Sequence, residues 1–284
     1  MFKVEASTPS IGAEISGVSL SKDRNSETID KIYNALIKYQ VIFFRDQDIS
    51  PETHLKLAES LGEVDPGHPV YPHVKDYQSI VLLKNDANTR PDTDDWHKDL
   101  TFKNNPPFAS ILHGVDVPKV GGDTLWASMS AAYDNLSDGW KEHLDGLEAI
   151  HDMGTFRNDY YKDGGIESVN NALKKVGSAV HKVIETHPIS GLKYLNVNQS
   201  FTRNIVNDSQ GKSDPILQFL FQHITKPEFQ VRFHWQNNSI AIWDNRITQH
   251  YAVCDYLPQS RHMQRVTVIN DKRDIFFLSL CFKS

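Results

Sequence analysis

The sequence contains two His-x-Asp pairs, an arrangement that can hold a divalent metal ion when both side chains reach the same point. The pairs are His97-Lys98-Asp99 and His143-Leu144-Asp145. With 13 His and 25 Asp in 284 residues, chance alone produces about one such pair. The motif therefore has to be judged by its context. Residues two apart point to the same side of a strand but to nearly opposite sides of a helix.

The surroundings separate the two pairs. His143 and Asp145 lie in the segment 128–150, where apolar residues recur at helical spacing. We therefore interpret them as part of a solvated helix face. His97 and Asp99 lie among residues that favour extended structure, so both side chains can reach one ion. The alternative for His97 and Asp99 is a simple ion pair at the end of a strand.

A facial triad needs a second histidine, and His250 is the best candidate. It opens a strand-like run shortly after the motif Trp243-Asp244-Asn245-Arg246. Two His and one carboxylate leave three coordination positions open, which is typical of non-haem Fe(II) oxygenases. Catalytic zinc sites also use three protein ligands, so the ligand set alone does not choose the metal.

Arg261 and Arg265 provide a second chemical signal. They occur in an alternating run, residues 261–269, and on a strand they project to the same side about 13 Å apart at ~3.3 Å per residue. Two buried like charges are unfavourable unless each meets an anion. The pair thus predicts two anion sites, since guanidinium groups suit carboxylates and sulfonates. The alternative is an edge strand with both arginines in solvent.

Composition narrows the classes of protein. Hydrophobic residues make up 39% and charged residues 23%, which is typical of a globular chain. The net charge of −6 argues against nucleic-acid and membrane-surface partners. No apolar run approaches the ~20 residues of a membrane helix, the N-terminus lacks a signal-peptide pattern, and two cysteines form no metal or redox motif. We expect a cytoplasmic protein.

The helices and strands that position these side chains are expected to form one domain, residues 1–284. Helical spacing predicts helices over 27–40, 51–62 and 128–150, with Ser50 as N-cap and Pro51 in the first turn of the second. Residues 154–180 are polar and predict a lid-like excursion with a short helix. Extended segments are predicted over 41–45, 108–117, 123–128, 192–198, 229–235, 239–243, 249–253 and 264–270. Many short strands with few helices indicate a two-sheet barrel or jelly roll with helices outside.

Several motifs in order resemble the taurine dioxygenase family of Fe(II)/2-oxoglutarate-dependent oxygenases. The resemblance runs from residue 11 to residue 270, nearly the whole chain. The segments that carry it are 11–17, His68 to His73, Trp96 to Asp99, Gly121 to Trp126, Lys226 to Arg232, and Trp243 to Arg246 leading to His250, with Arg261 and Arg265 beyond.

The resemblance implies a mainly β, cupin-like double-stranded β-helix with flanking helices. It implies Fe(II) as the metal, 2-oxoglutarate as cosubstrate and O2 as oxidant. His97, Asp99 and His250 are the implied metal ligands, and Thr124 and Arg261 would hold the distal carboxylate of 2-oxoglutarate. Arg265 would pair with the sulfonate of the substrate. The other implied substrate residues are His68, Tyr71, Thr93, Leu100, Phe156 and Phe201.

Taurine is the substrate that the resemblance favours. Hydroxylation of its sulfonate-bearing carbon would release sulfite and aminoacetaldehyde, with succinate and CO2 from the cosubstrate. Thr93 departs from the family, because the taurine-using member has Asn four residues before the first metal-binding His. The alternative is the same chemistry on another alkanesulfonate, an alkyl sulfate or a carboxylate.

Oligomeric state and reaction class complete the expectations. The resemblance implies a homo-oligomer, a dimer or tetramer, and the apolar tail 275–284 departs from the more polar tail of the family. From the residues alone, a metal-dependent hydrolase and a non-catalytic anion-binding barrel remain alternatives to the oxygenase.

Overall fold

The computed structural model describes residues 1–67, 71–89, 91, 95–154 and 156–274, without the side chains of 156–161 and 163. Within these ranges, no helix combines the length and the apolar character needed to cross a membrane. The helices are α1 (Ser26–Tyr39), α2 (Pro51–Leu61), α3 (Met129–Asp134), α4 (Asp138–Leu144), α5 (Phe156–Val176) and α6 (Gln210–Ile224).

The strands are short and spread along the whole chain. They are β1 (Lys3–Ala6), β2 (Ala13–Ser16), β3 (Val41–Phe44), β4 (Gly62–Val64), β5 (His73–Val74), β6 (Tyr77–Asn85), β7 (Ala109–Asp116), β8 (Thr124–Ser128), β9 (Glu148–His151), β10 (Ala179–Lys182), β11 (Ile184–Thr186), β12 (Lys193–Leu195), β13 (Thr202–Ile205), β14 (Gln230–Phe233), β15 (Ile240–Asp244), β16 (Thr248–Ala252) and β17 (Arg261–Asp271).

Two sheets position the site. The major sheet has the order β1-β2-β3-β15-β7-β17-β6-β5, with β4 also paired to β17. The minor sheet has the order β14-β8-β16. Apart from the parallel pair β2 and β3, the pairings in both sheets are antiparallel.

An aromatic core fills the space between the two sheets. Phe43 from the major sheet stacks on Phe233 of the minor sheet at 4.2 Å and meets Trp126 at 5.4 Å between ring centroids. Trp126 also packs against Trp243 at 5.7 Å. Because successive side chains of a strand face opposite ways, Ile42 turns to the outer side of the same sheet.

Helices cover the outer faces of the two sheets. The major sheet packs its outer face against α1 and α2, and the minor sheet packs against α3 and α6. Helix α2 begins as the sequence predicts, because the Ser50 side chain accepts a hydrogen bond from the Thr53 N–H and Pro51 occupies the first turn. Each predicted strand has an observed counterpart within a few residues, and β17 begins three residues earlier than predicted. The sequence did not predict β1, β2, β4, β5, β6, β9, β10, β11 and β13.

Two predictions about helices were wrong. The single helix predicted over 128–150 is two short helices, because Ser137 caps a new helix by accepting from the Trp140 N–H, and 148–151 form a strand. The short helix predicted within 154–180 is the 21-residue α5, interrupted where Gly165 adopts a φ of +64° that other residues rarely take.

Candidate active site

The minor sheet carries the two histidines of the predicted triad. His250 lies on β16, and His97 pairs with it through two backbone hydrogen bonds of 3.0 and 2.8 Å. His97 thereby extends the edge of the minor sheet, as its extended context predicted. Asp99 lies two residues further on, at the start of a turn in which Leu100 has a φ of +55°. His97 and Asp99 project to the same side and Lys98 between them to the other, as the alternation of extended residues predicts.

The three ligand atoms converge on one point. Both histidine Nε2 atoms lie 3.9 Å from Asp99 Oδ1, and all three residues are buried. A separation of 3.9 Å is too long for a hydrogen bond, but two metal–ligand bonds of ~2.1 Å can span up to ~4.2 Å. The group His97, Asp99 and His250 therefore fits a single ion and leaves coordination positions open.

Each of the two histidine rings can offer a nitrogen lone pair to this point. His97 Nδ1 lies 2.8 Å from the Asp95 carbonyl, which only accepts, so Nδ1 carries the proton and Nε2 is free to bind metal. Burial, together with the neighbouring His97 ring, lowers the pKa of His250 well below its usual value. Trp243 packs on the His250 ring at 4.9 Å and fixes its orientation.

Asp99 is held in its ionised form. Burial alone raises the pKa of this carboxyl, but the charge of Arg265, the facing histidine rings and a hydrogen bond from Ser110 lower it to about 2. Ser110 donates to Asp99 Oδ2 at 3.2 Å, and Arg265 Nη1 lies 3.5 Å from Oδ1. The carboxylate is thus available as a metal ligand at neutral pH.

Two polar side chains fix the ligand segment from behind. Asn245 accepts from the Asp99 N–H at 2.9 Å and donates to the Asp99 carbonyl at 3.1 Å and to the Pro107 carbonyl at 3.0 Å. Lys98 points the other way and donates to the Arg246 carbonyl at 2.7 Å and to Asn196 Oδ1 at 2.6 Å. Both side chains join the segment 97–99 to the one that leads to His250.

A cavity of about 260 Å³ opens in front of the histidines. In the part of the chain that the structure describes, its lining holds no carboxylate. It is lined by Tyr71, Pro72, Leu82, Leu83, Lys84, Asn85, Thr89, Pro91, His97, Leu112, Thr124, Trp243, His250, Ala252, Val253, Tyr256, Arg261 and Arg265. Asp99 and Leu100 line a smaller adjoining space together with Arg265.

Thr124 and Arg261 form one end of this cavity. Arg261 donates through Nε to the Gly122 carbonyl at 3.1 Å and through Nη2 to Thr124 Oγ1 at 3.3 Å. Trp235 Nε1 also donates to Thr124 Oγ1, at 2.9 Å. An oxygen that accepts twice still has its own proton to donate. Burial lowers the pKa of Arg261 to about 10, so it stays charged at neutral pH and favours an anion.

Arg265 lies on the same face of β17, nearer the triad. Its Nε is buried and has no hydrogen-bond partner among the described residues. The carboxylate of Asp99 lies 3.5 Å from its Nη1. An arginine with an unused donor beside a carboxylate ligand is suited to a second anion.

The remaining candidates fall in different places. Tyr71 lines the cavity, whereas Phe201 is buried against Phe102 at 5.3 Å and is not part of the described lining. His68 and Thr93 lie outside the described residues, and so does the side chain of Phe156. His143 lies exposed in the last turn of helix α4, as the helical spacing predicted, and Asp145 is the exposed residue that caps the end of this helix.

Sequence reasoning missed Ser110, Trp235 and Tyr256. Ser110 contacts Asp99, Trp235 contacts Thr124, and Tyr256 lines the cavity. Ser110 lies on β7 and Trp235 lies two residues after the end of β14. They reach their partners only through the pairing of β7, β15 and β17 and the facing of the two sheets. No local motif distinguishes them from ordinary core residues.

Comparisons with known proteins identify the family. Residues 3–267 match the Taurine catabolism dioxygenase TauD, TfdA family. An alkylsulfatase of Acinetobacter baylyi is 37% identical over 93% of this chain and 84% of its own length. An alpha-ketoglutarate-dependent sulfate ester dioxygenase of Pseudomonas putida is also 37% identical, over 92% of this chain and 87% of its own. The chain belongs to the TauD/TfdA family.

A solved structure agrees with this assignment. A taurine dioxygenase from Burkholderia xenovorans superposes with a TM-score of 0.81 at 33% identity, over 95% of this chain and 90% of its own. The predicted cupin-like jelly roll is therefore confirmed. The protein is an Fe(II)/2-oxoglutarate-dependent dioxygenase, and it uses Fe(II), 2-oxoglutarate and O2.

Proposed function

We propose that this enzyme oxidises small alkyl sulfates and alkanesulfonates at the carbon that bears the sulfur-containing group. The observation that carries the proposal is Arg265, whose buried Nε has no partner among the described residues and whose Nη1 lies 3.5 Å from the metal ligand Asp99. An anion held by Arg265 is adjacent to the metal position. The carbon attached to that anion is then the part of the substrate nearest the oxidant.

The residues of the chain have separate tasks in this proposal. His97, Asp99 and His250 hold Fe(II), which with 2-oxoglutarate supplies the chemistry that inserts one oxygen atom of O2 into a C–H bond. Thr124 and Arg261 hold the distal carboxylate of 2-oxoglutarate and so orient its keto acid end toward the histidines. Placement of this kind replaces a random encounter by a fixed geometry.

The products follow from where the hydroxyl group is placed. A hydroxylated carbon that also carries a sulfate ester loses its hydroxyl proton, and the bond between this carbon and the ester oxygen breaks, which gives an aldehyde and hydrogen sulfate. A hydroxylated alkanesulfonate breaks its C–S bond and gives an aldehyde and sulfite. In both cases 2-oxoglutarate becomes succinate and CO2.

The cavity lining supports an apolar substrate tail. Leu82, Leu83, Leu112 and Val253 contribute to it, and the described lining offers no carboxylate to an ammonium group. The alkylsulfatase and the sulfate ester dioxygenase named above are consistent with such a tail. Taurine is the second candidate, favoured by the taurine dioxygenase from Burkholderia xenovorans and by the motifs in the sequence.

A substrate panel tests the proposal. Purified enzyme with Fe(II), 2-oxoglutarate, ascorbate and air is given hexyl sulfate, hexanesulfonate, taurine or 1-hexanol, and succinate formation is measured. We expect kcat/KM for hexyl sulfate or hexanesulfonate to exceed that for taurine by at least tenfold, about 1.4 kcal/mol, and 1-hexanol to be inactive. A preference for taurine would contradict the apolar tail. Equal rates with 1-hexanol would contradict recognition of the anion.

A further inference from the structure

Tyr256 follows β16 and lies at the Arg261 end of the cavity. Its side chain is 2% exposed, yet its hydroxyl has no hydrogen-bond partner among the described residues. Buried polar groups are almost always hydrogen-bonded, and an unpaired one is unfavourable. Tyr256 lines the same cavity as Thr124 and Arg261, so a molecule bound in that cavity is a natural source of the missing partner.

The position of the Tyr256 ring is set by Gly122. A Cβ atom at Gly122 would lie 3.2 Å from Tyr256 Cδ1 and 3.3 Å from Arg261 Cδ, closer than ordinary van der Waals contact. Gly122 also has a φ of +70°, which other residues rarely adopt. The phenol ring and the arginine side chain therefore pack on the same glycine, side by side.

The surrounding charges select the kind of partner. Burial raises the pKa of Tyr256, so its hydroxyl stays protonated and can donate at neutral pH. Asp123 and Asp255 are the neighbouring carboxylates, but the oxygens of Asp123 are already held by Arg232 at 2.6 Å and by His234 at 2.8 Å. Asp255 accepts from the Gly122 N–H at 2.8 Å and lies 3.7 Å from Arg232 Nη2. What remains is a group of donors, the hydroxyls of Thr124 and Tyr256 and the guanidinium of Arg261, and such a group fits a carboxylate.

We propose that Tyr256 donates a hydrogen bond to the distal carboxylate of 2-oxoglutarate and, with Thr124 and Arg261, makes the enzyme selective for a dicarboxylic keto acid. This inference rests on the proposed placement of that carboxylate at Thr124 and Arg261. Tyr256 is then a specificity residue for the cosubstrate, because it contacts the end of the molecule that does not react.

Binding measurements on two keto acids test the role of Tyr256. Anaerobic Fe(II)-loaded wild type and Tyr256→Phe are titrated by calorimetry with 2-oxoglutarate and with 2-oxopentanoate, which has the same five carbons but lacks the distal carboxylate. We expect Tyr256→Phe to raise the Kd for 2-oxoglutarate about tenfold, ~1.4 kcal/mol. The Kd for 2-oxopentanoate should stay within twofold of wild type.

Tyr194→Phe is the matched control. Tyr194 is 5% exposed but faces a different cavity, together with Lys98, so its loss should change neither Kd. Without 2-oxoglutarate, Tyr256→Phe should melt no lower than wild type, since removing an unpaired buried hydroxyl costs no hydrogen bond. With 2-oxoglutarate it should gain less thermal stability than wild type.

The outcomes separate this inference from the placement on which it rests. If Tyr256→Phe binds 2-oxoglutarate as tightly as wild type, the hydroxyl does not contact the carboxylate and the inference is wrong. If both keto acids are weakened equally, Tyr256 only packs in the cavity and the inference is also wrong. If wild type itself binds both keto acids equally, the placement of the distal carboxylate at Thr124 and Arg261 fails as well.

Discussion

Asn245 holds the metal ligand Asp99 by its backbone, so its removal should loosen the triad without touching the metal. The side chain is fully buried and makes three hydrogen bonds, two to Asp99 and one to Pro107. Asn245→Ala leaves three buried backbone groups unpaired. At ~1–3 kcal/mol for each orphaned group, partly offset by relaxation, we expect a loss of about 3–5 kcal/mol in the free energy of unfolding.

The assay has two parts. Thermal unfolding of the metal-free protein should show a fall of about 10 °C, from ~2–4 °C for each kcal/mol in a chain of this size. A Co(II) titration should show metal affinity reduced by about 10–100-fold, the usual effect of losing a group that orients a metal ligand. The affinity loss is the specific part of the prediction, because a purely structural role would lower the melting temperature alone.

Gln47→Ala is the matched control, since Gln47 is also a buried amide with three hydrogen bonds to backbone groups. It accepts from the Leu20 N–H at 2.7 Å and donates to the carbonyls of Val18 at 3.2 Å and Arg45 at 2.8 Å, away from the triad. We expect a comparable loss of stability with unchanged metal affinity. The reasoning is refuted if Asn245→Ala keeps wild-type metal affinity or if Gln47→Ala loses it to the same extent.

Three further predictions concern single side chains. Arg265→Gln should lower kcat/KM for the sulfur-containing substrate by a factor of about 10², ~3 kcal/mol, since a buried anion loses its charge partner. In the same steady-state assays the control Arg45→Gln, outside the cavity, should leave kcat/KM unchanged. Equal losses in the two variants would contradict the role of Arg265. Thr124→Val leaves the indole N–H of Trp235 without an acceptor, so denaturation should show a loss of about 1–3 kcal/mol in the free energy of unfolding. Calorimetry should show weaker binding of 2-oxoglutarate, and unchanged binding would refute the role of Thr124. Burial lowers the pKa of His54 to about 3 from 6.5, so its contribution to the free energy of unfolding is complete above pH 6.5 and is lost as the pH falls toward 3, by about 2 kcal/mol at pH 5. In urea unfolding, His54→Gln should show a shallower dependence of this free energy on pH than wild type. Parallel curves would show that His54 is not responsible.

The sequence predicted which residues meet at the centre of the site, because the pattern around them was informative. The extended context of His97 and the strand-like run at His250 indicated that both histidines lie in extended segments, and the structure pairs the two residues directly. The alternation around Arg261 and Arg265 placed both on one face of a strand, and both line the cavity. The periodicity of side chains along the strands was therefore the most informative feature of the sequence for predicting the site.

What the sequence did not predict depends on contacts between distant segments. The turn at Leu100, which directly follows the side chain of Asp99, has no local signature because Leu rarely adopts positive φ. The hydroxyl of Ser110 meets Asp99 only when β7 lies beside the turn. Likewise, the break between α3 and α4 depends on the capping hydrogen bond of Ser137, which competes with a continuous apolar spacing.

The balance of products tests the central claim most directly. Enzyme with Fe(II), 2-oxoglutarate, ascorbate, air and either hexyl sulfate or hexanesulfonate is sampled over time, and succinate is quantified beside sulfate or sulfite. His97→Ala is the control, because it removes one ligand of the group formed with Asp99 and His250. We predict one sulfur anion for each succinate, and neither product from the variant. Release of the sulfur anion without O2 or 2-oxoglutarate, or with His97→Ala, would contradict the oxygenase mechanism.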